Sequence, residues 1–413
     1  MKLWIVSVGE PLPIDSDNVR LRRMGNLAMY ASSQGIDVEW FSVSFDHYGK
    51  KQRCQNDKDY KINEKFILHI VRVNGYKKNI SLSRIIHHYN SGKNIYRKMN
   101  ELEKPDIILA SMEPLEVSKS VVRYSKKNNI PCIIDVRDLW PEIYYDVIPK
   151  YLHQILDIYV RICSRTLSYT MKNCTSIIGL SEGFLNYGLK YANRGKNEYD
   201  SVFPIAYPNY DYNNYKDLLE KFWNKYGITK KDFIVTFLGN FGDQFKFDEI
   251  IETAKELRDY TDIKFILCGT GKRMDEIKSK VGNNVIIPGW IEKEEILSLL
   301  SNSKIGIAPY IDSMNYRLNT PNKFGEYLSA GLPILVSVSG EMEKLLAKNE
   351  CGYCYNNSRI LKEKILEYYN FKDKQQKHSF NARKLYEKMF DGNKINRELI
   401  NYICKIINKY KEK

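Results

Sequence analysis

Thr320-Pro321-Asn322-Lys323-Phe324-Gly325-Glu326-Tyr327-Leu328-Ser329-Ala330-Gly331-Leu332-Pro333-Ile334 is the stretch that decides the fold. Pro321 fixes its own φ and gives up an amide that the first turn of a helix would leave unpaired anyway. Gly331 suits a helix C-terminus, and Pro333 prevents the helix from continuing. Ile334–Val338 then reads as a buried strand. The pattern predicts a short helix whose bare amides, at Asn322, Lys323 and Phe324, suit a phosphate. Glu326, one turn in, is placed to accept hydrogen bonds from a ribose diol; the plainer reading is a surface carboxylate near the helix dipole.

Working outward, the same strand–helix alternation extends in both directions. Strands are expected at Ile234–Gly239, Ile263–Cys268, Val285–Ile287 and Ile305–Ala308 on one side of a loose segment, Tyr199–Tyr212. On the other side they are expected at Leu3–Gly9, Val38–Val43, His69–Val73, Asp106–Ser111, Cys132–Val136 and Ser176–Leu180, with helices such as Val19–Gln34 and Pro114–Lys127 between them. Several of these runs are apolar throughout, as strands covered on both faces require. The result is an α/β chain of two doubly wound, Rossmann-like domains and a helical tail. Boundaries are expected at 1–205, 206–375 and 376–413, the last segment crossing back to the first domain.

The 413 residues carry a formal net charge of +14, which favours anionic partners. The excess is uneven: residues 51–100 hold twelve Lys/Arg against three acids, a local balance of +9. Within that region Ile80, Leu82, Ile85, Ile86 and Tyr89 have roughly the spacing of one helix face. A face lying on an anionic membrane and a core-facing helix with a basic outer side both fit. No apolar run reaches the roughly 18 to 20 residues needed to cross a bilayer, and the N-terminus reads as a first strand, not a signal peptide. Eight scattered cysteines, with one lone C-x-x-C at Cys351 and Cys354, offer neither a zinc nor a complete redox spacing and fit a reducing, cytoplasmic setting.

In open α/β sheets ligands bind off the carboxyl ends of the strands, so the residues that follow each strand are the candidates. After the first strand come Gly9, where backbone can approach a ligand, and then Arg20 and Arg23, which suit a phosphate or charged acceptor. After the fifth stands Asp135-Val136-Arg137-Asp138-Leu139-Trp140-Pro141-Glu142, in which Arg137 and Asp138 are expected to face a cleft and Trp140 suits stacking on a sugar or core packing. The second half offers Gly239, Asn240 and Lys246 around one turn, Gly269 and Gly271 around the next, and Gly289 and Trp290 after the third strand, where the backbone suits a nucleobase edge.

On these residues the chain resembles the family 4 retaining glycosyltransferases of the GT-B fold, the bacterial members that build O-antigen and capsule chains above all. Pro321–Pro333 is similar to the family's donor-site helix and Asp135–Glu142 to its acceptor-side strand end. Gly9–Pro13 and Ser44-Phe45-Asp46-His47 are similar to its N-terminal domain. The resemblance implies two domains facing across a cleft, with Glu326 on the donor ribose, the Gly239 and Gly269 turns along the nucleotide pocket, and Gly9 at the donor sugar or phosphate. It also implies retention by front-face attack. The candidates near the reaction are Arg137, Asp138 and Lys246, and those on the acceptor side are Arg20, Arg23, His47 and Trp140. The pattern is departed from in three ways: Asn240 and Phe245 stand where many relatives place Arg and Lys, Leu318 stands eight residues before Glu326 in place of a glutamate, and no histidine lies near Arg137.

The expected activity is transfer of a sugar from a nucleotide diphosphate sugar, UDP before GDP, to a saccharide on a polyprenyl diphosphate. The expected setting is the cytoplasmic face of the membrane in surface polysaccharide synthesis. No metal or other cofactor is expected: Asp15-Ser16-Asp17 imitates the D-x-D site of a different glycosyltransferase fold, but equally suits a helix cap. A nucleotide-sugar epimerase shares this fold and donor pocket, and is distinguished by whether nucleotide release needs an acceptor. A nucleic-acid binder would also explain the charge, but no helix-turn-helix, zinc or RNA-stacking signature is present, so nucleic acid is not an expected partner.

Overall fold

The computed structural model describes residues 1–16 and 19–412 and divides them into two compact units: Met1–Pro204 with Asn393–Lys413, and Ile205–Gly392. Each is built on its own sheet of the Rossmann type.

In the first unit the strands run in the order Ser201–Val202, Ser176–Gly179, Cys132–Val136, Ile107–Ser111, Lys2–Val6, Asp37–Val43, Phe66–Val71, Lys58–Asn63. All neighbours are parallel except the last pair. The strand order reverses between Lys2–Val6 and Ile107–Ser111, which makes this the switch point where ligands of such sheets bind. The first strand stops at Val6, short of the expected Gly9, because Gly9 turns the chain at φ 89°, a left-handed value that costs glycine nothing. The antiparallel edge strand Lys58–Asn63 escapes a search for apolar runs because it is polar and largely solvated, as edge strands are. The first helix begins at Arg23, later than the expected Val19; Asp17 and Asn18, part of the D-x-D reading, lie outside the described residues. The C-terminal helix Gly392–Lys411 completes this unit, burying Leu399, Ile403 and Ile406 on one stripe beside Leu3 and Ile5.

The second unit is a six-stranded parallel sheet in the order Val285–Gly289, Ile263–Cys268, Phe233–Leu238, Ile305–Ala308, Ile334–Val336, Gly352–Cys354. Five of these six were expected. The sixth is only three residues long, and it places Cys354 in an edge strand and Cys351 just ahead of it, buried. The expected helix after Pro321 runs Asn322–Ser329. Here the order reverses between Phe233–Leu238 and Ile305–Ala308.

The Leu82–Met99 helix settles one choice left open by the sequence. It buries His87, His88, Ser91, Gly92, Ile95 and Met99 and leaves Leu82, Ile86 and Tyr89 78%, 56% and 64% exposed. The aliphatic spacing read from the sequence is therefore the outward face, and the core-facing reading is excluded. No described helix is long and apolar enough to cross a membrane.

Candidate active site

In the second unit the Asn322–Ser329 helix lies at the switch point, while Gly269 and Gly271 follow the next strand out and Gly289 and Trp290 the edge strand. The helix is pinned across the two strands that define the switch point. The Leu238 amide donates to the Tyr327 hydroxyl at 2.8 Å, and that hydroxyl donates to the Ile307 carbonyl at 3.3 Å. Lys323, buried, donates from Nζ to the Leu238 carbonyl beside Gly239 and lies 4.5 Å and 4.7 Å from the ring centroids of Phe237 and Phe245. A carbonyl oxygen and two aromatic faces replace part of the water this ammonium has lost. Phe245 is thus one wall of the Lys323 site. Glu326 is also buried and accepts from the Tyr207 hydroxyl at 2.7 Å. Its charge lies close enough to Tyr310 to contribute, after burial and Tyr316, to pushing that phenol well above its ordinary pKa.

Two further polar groups lie just before this helix. Asn319 Oδ1 and Thr320 Oγ1 are shut away from solvent and lack hydrogen-bond partners among the described residues. Buried polar atoms left unsatisfied are costly, and in a binding site a ligand meets that cost. Of the three amides offered by the sequence reading, Phe324 N–H turns back to the Pro321 carbonyl at 2.8 Å, so the first turn is tightened and that donor is used.

The glycine turns beyond the strands are tied to one another. Gly239 N–H donates to Cys268 O at 3.0 Å, Phe241 N–H to Thr270 O at 2.9 Å, and Gly269 N–H to Gly289 O at 2.7 Å. A Cβ on Gly269, whose φ is 134°, would overlap the Gly239 carbonyl. These glycines let three loops pack backbone on backbone. Asn240 accepts from Gln244 at 2.5 Å, and Trp290 is 72% exposed with its indole N–H on Glu292 at 3.2 Å. Lys246 reaches Glu249 at 3.7 Å, in the first turn of its own helix, while its amide donates to Pro309 O at 2.6 Å.

The first unit assembles a second charged group at its own switch point. Arg137 forms an ion pair with Glu10, donates to Ser111 Oγ at 2.7 Å, and lies 3.9 Å from Asp135. Burial works against the Arg137 cation, but Glu10, Asp135 and Glu113 outweigh it and raise its pKa further. Ser111 in turn donates to Ser7 at 2.8 Å, and Glu10 accepts the Met24 amide at 3.1 Å. Asp135 is taken by Arg23 at 2.8 Å, and Arg23 also donates to the Pro204 carbonyl at 2.8 Å. Arg23 is therefore a buried cation already engaged by Asp135, while Arg20 is exposed. Asp138 is half-buried beside this group. Asp15 is held by Arg53 at 2.6 Å: burial alone would raise its pKa, and the arginine together with the Leu12 amide brings it below the ordinary value.

His47 and Trp140, the other predicted acceptor residues, belong to one chain of rings. His47 Nδ1 is 2.5 Å from the Tyr76 hydroxyl. Tyr76 packs on His87, His87 on His88, and His88 on Trp140, with centroid separations of 5.1, 5.8 and 6.3 Å. Arg84 lies over Trp140 at 5.3 Å. Burial, then the charges of Lys50 and Arg84, pushes His47 down to about 4, so it is a neutral imidazole at neutral pH.

Residues 232–370, most of the second unit, match the model of the glycosyl transferases group 1 family. Solved structures match over nearly the whole chain. Sucrose-phosphate synthase from Thermosynechococcus elongatus is 12% identical, covering 99% of each chain at a TM-score of 0.72. Anabaena HepE in complex with UDP is 13% identical over 98% of this chain and 99% of its own, at 0.65. WaaG, a glycosyltransferase involved in lipopolysaccharide biosynthesis, is 14% identical over 97% and 98%, at 0.66. The second unit carries a glycosyltransferase group 1 domain. The chain has the GT-B fold. No curated protein sequence matches it.

Three residues were given no role from the sequence: Tyr207, Glu10 and Glu113. Tyr207 carries no motif, and Glu10 lies inside Gly9–Pro13 without a task of its own; they matter because the fold brings them to Glu326 and Arg137. Glu113 follows the strand Ile107–Ser111 by two residues, a position that could have drawn attention to it. It is only half-buried as a residue, yet its Oε1 is closed off and has no hydrogen-bond partner among the described residues. Burial, then the negative charge of Asp138, raises its pKa to about 8 against the pull of Arg137. A carboxyl whose folded pKa lies above its unfolded one binds an extra proton on folding. The stability it supports is complete at low pH and is lost as pH rises through the folded value. The melting temperature of the wild type is therefore expected to fall between roughly pH 5 and pH 8 more steeply than that of Glu113→Gln. Parallel melting curves for the two proteins would remove the assignment.

Proposed function

We propose that this chain is a glycosyltransferase that binds a nucleoside diphosphate sugar, UDP before GDP, at the switch point of its second unit. It transfers the sugar, with retention, to a saccharide on a polyprenyl diphosphate at an anionic membrane surface. The observation that carries the donor half is the Asn322–Ser329 helix, anchored by Tyr327 and Lys323 across the ends of Phe233–Leu238 and Ile305–Ala308. Such a helix start suits a diphosphate, with Lys323 and Lys246 as cations, and places Glu326 within one turn for the ribose. Anabaena HepE has been crystallised with UDP-glucose, which supports a uridine nucleotide here.

In the front-face course that the family resemblance implies, the acceptor hydroxyl approaches on the side from which the diphosphate leaves, and a diphosphate oxygen takes its proton. The protein then contributes positioning and stabilisation of the leaving charge. The acceptor half of the proposal draws on the basic region 51–100 and the exposed apolar face of Leu82–Met99. Thermal-shift measurements across a panel of nucleoside diphosphates, followed by donor turnover with and without lipid-linked acceptor, test both halves. Nucleotide released at the same rate without acceptor would favour an epimerase or hydrolase instead.

A further inference from the structure

The most extensive exposed apolar surface of the first unit is not confined to the Leu82 helix. Helix His153–Asn173 buries Leu156, Val160, Cys163 and Leu167 and presents Ile155, Ile158 and Ile162 outward, 70%, 64% and 57% exposed. Spacings of three and four put these on one face. Tyr151 and Leu152, just ahead of the helix, are also exposed. Arg84 of the Leu82 helix lies over Trp140, Trp140 packs on Tyr144 at 4.9 Å, and Tyr144 on Tyr159 of the second helix at 5.5 Å. The two helices are thus joined near their N-terminal ends through one row of aromatic rings, inside one unit.

From Lys65 to Asn100 there are eight Lys/Arg and no acid; Lys65, Arg97 and Lys98 pair with Asp37, Asp57 and Asp59, so the basic fringe of this surface rests on Lys77, Lys78, Arg84 and Lys93. On the other helix, Arg161 and Arg165 are exposed, Lys150 stands ahead of it, and the single acid, Asp157, accepts the Tyr145 hydroxyl at 2.6 Å. A second copy of this chain docking face to face would bring like charges together. An anionic headgroup layer would complement the basic fringe while its acyl boundary takes the isoleucines.

We infer that the outward face of His153–Asn173, with Tyr151 and Leu152, lies on an anionic bilayer and forms one footprint with the Leu82 helix. The inference rests on the membrane half of the proposed function and adds to it a second helix and its residues.

Flotation of the full chain with phosphatidylcholine vesicles, with and without phosphatidylglycerol, is the test. The wild type is expected to float only with the anionic lipid and to be released by salt. In the Ile155→Asp/Ile158→Asp/Ile162→Asp protein the partition is expected to drop by about tenfold or more, with the UDP-induced thermal shift unchanged. A variant that floats like wild type overturns the assignment of this helix while leaving the membrane reading in place. A wild type that stays in solution at low salt overturns both. A wild type that dimerises through this face, with the variant monomeric and neither floating, assigns the surface to a second copy. If the aspartate variant does not fold, Ile158→Trp reads the same contact: quenching by brominated phosphatidylglycerol beyond the wild-type level supports the footprint, and no added quenching overturns it.

Discussion

Replacing Glu326 by alanine is expected to lower sugar transfer by about a hundredfold, because a lost hydrogen bond to a charged group is worth roughly 1.5–3 kcal/mol. The reason lies in what surrounds the carboxylate. Glu326 is buried and accepts the Tyr207 hydroxyl at 2.7 Å. If it also receives the ribose diol, alanine leaves the diol and the tyrosine hydroxyl without their acceptor. Part of the loss would then appear as stability, about 1 kcal/mol for the Tyr207–Glu326 hydrogen bond. That is tolerable for a folded protein with a typical reserve of about 5–15 kcal/mol. Two companions separate the effects. Tyr207→Phe removes only the internal hydrogen bond and is expected to keep most of the transfer activity. Glu326→Gln keeps an acceptor oxygen for Tyr207 and loses the charge, so its defect should appear in donor binding and turnover with little change in melting. Unaltered transfer by Glu326→Ala would sink the assignment of this residue to the donor.

The helix carrying Glu326 was legible because three local rules agree over a dozen residues: proline at its start, glycine and then proline after its end, and a β-branched run beyond. Strand existence was legible for the same kind of reason, since a strand covered on both faces must be apolar throughout. What stayed hidden was whatever depends on contacts distant in sequence. Nothing near Lys323 announces that Phe237 and Phe245 will enclose it, because those rings come from a strand and a loop 86 and 78 residues earlier. Arg23 reads as one of several arginines at a helix start, and nothing local announces its buried pairing with Asp135, 112 residues on. The Leu82 helix gave the right periodicity and two opposite interpretations, because spacing defines a face without saying which way it turns. His87 and His88 decided it by packing inward among aromatic rings.

The second large effect is expected at Arg137, and here the size follows from counting charges at one strand end. Arg137 compensates Glu10 directly, lies near Asp135, and moderates Glu113, while Asp138 adds a further negative charge. Arg137→Met leaves these carboxyls without the cation that Glu10 pairs with, and breaking a buried pair from one side typically costs about 3–5 kcal/mol. The Glu113 carboxyl, already raised to about 8, should move higher still once its favourable cation is gone. Melting of Arg137→Met should therefore depend more strongly on pH in the neutral range than that of wild type. Arg137→Lys restores the charge but not the fork that holds Glu10 and Ser111 together, so it should recover most of the stability. Its transfer activity then distinguishes two roles. Near-normal turnover would mean that Arg137 only neutralises the strand ends. A fall in kcat with donor affinity and melting preserved would mean that the guanidinium geometry positions the groups around Asp138 for the reaction. Addition of Glu10→Gln to Arg137→Met should return part of the lost stability, since the carboxylate left unpaired by the first change is removed by the second. If the double variant is no more stable than the single one, the Glu10 pair is not what Arg137 contributes to the fold.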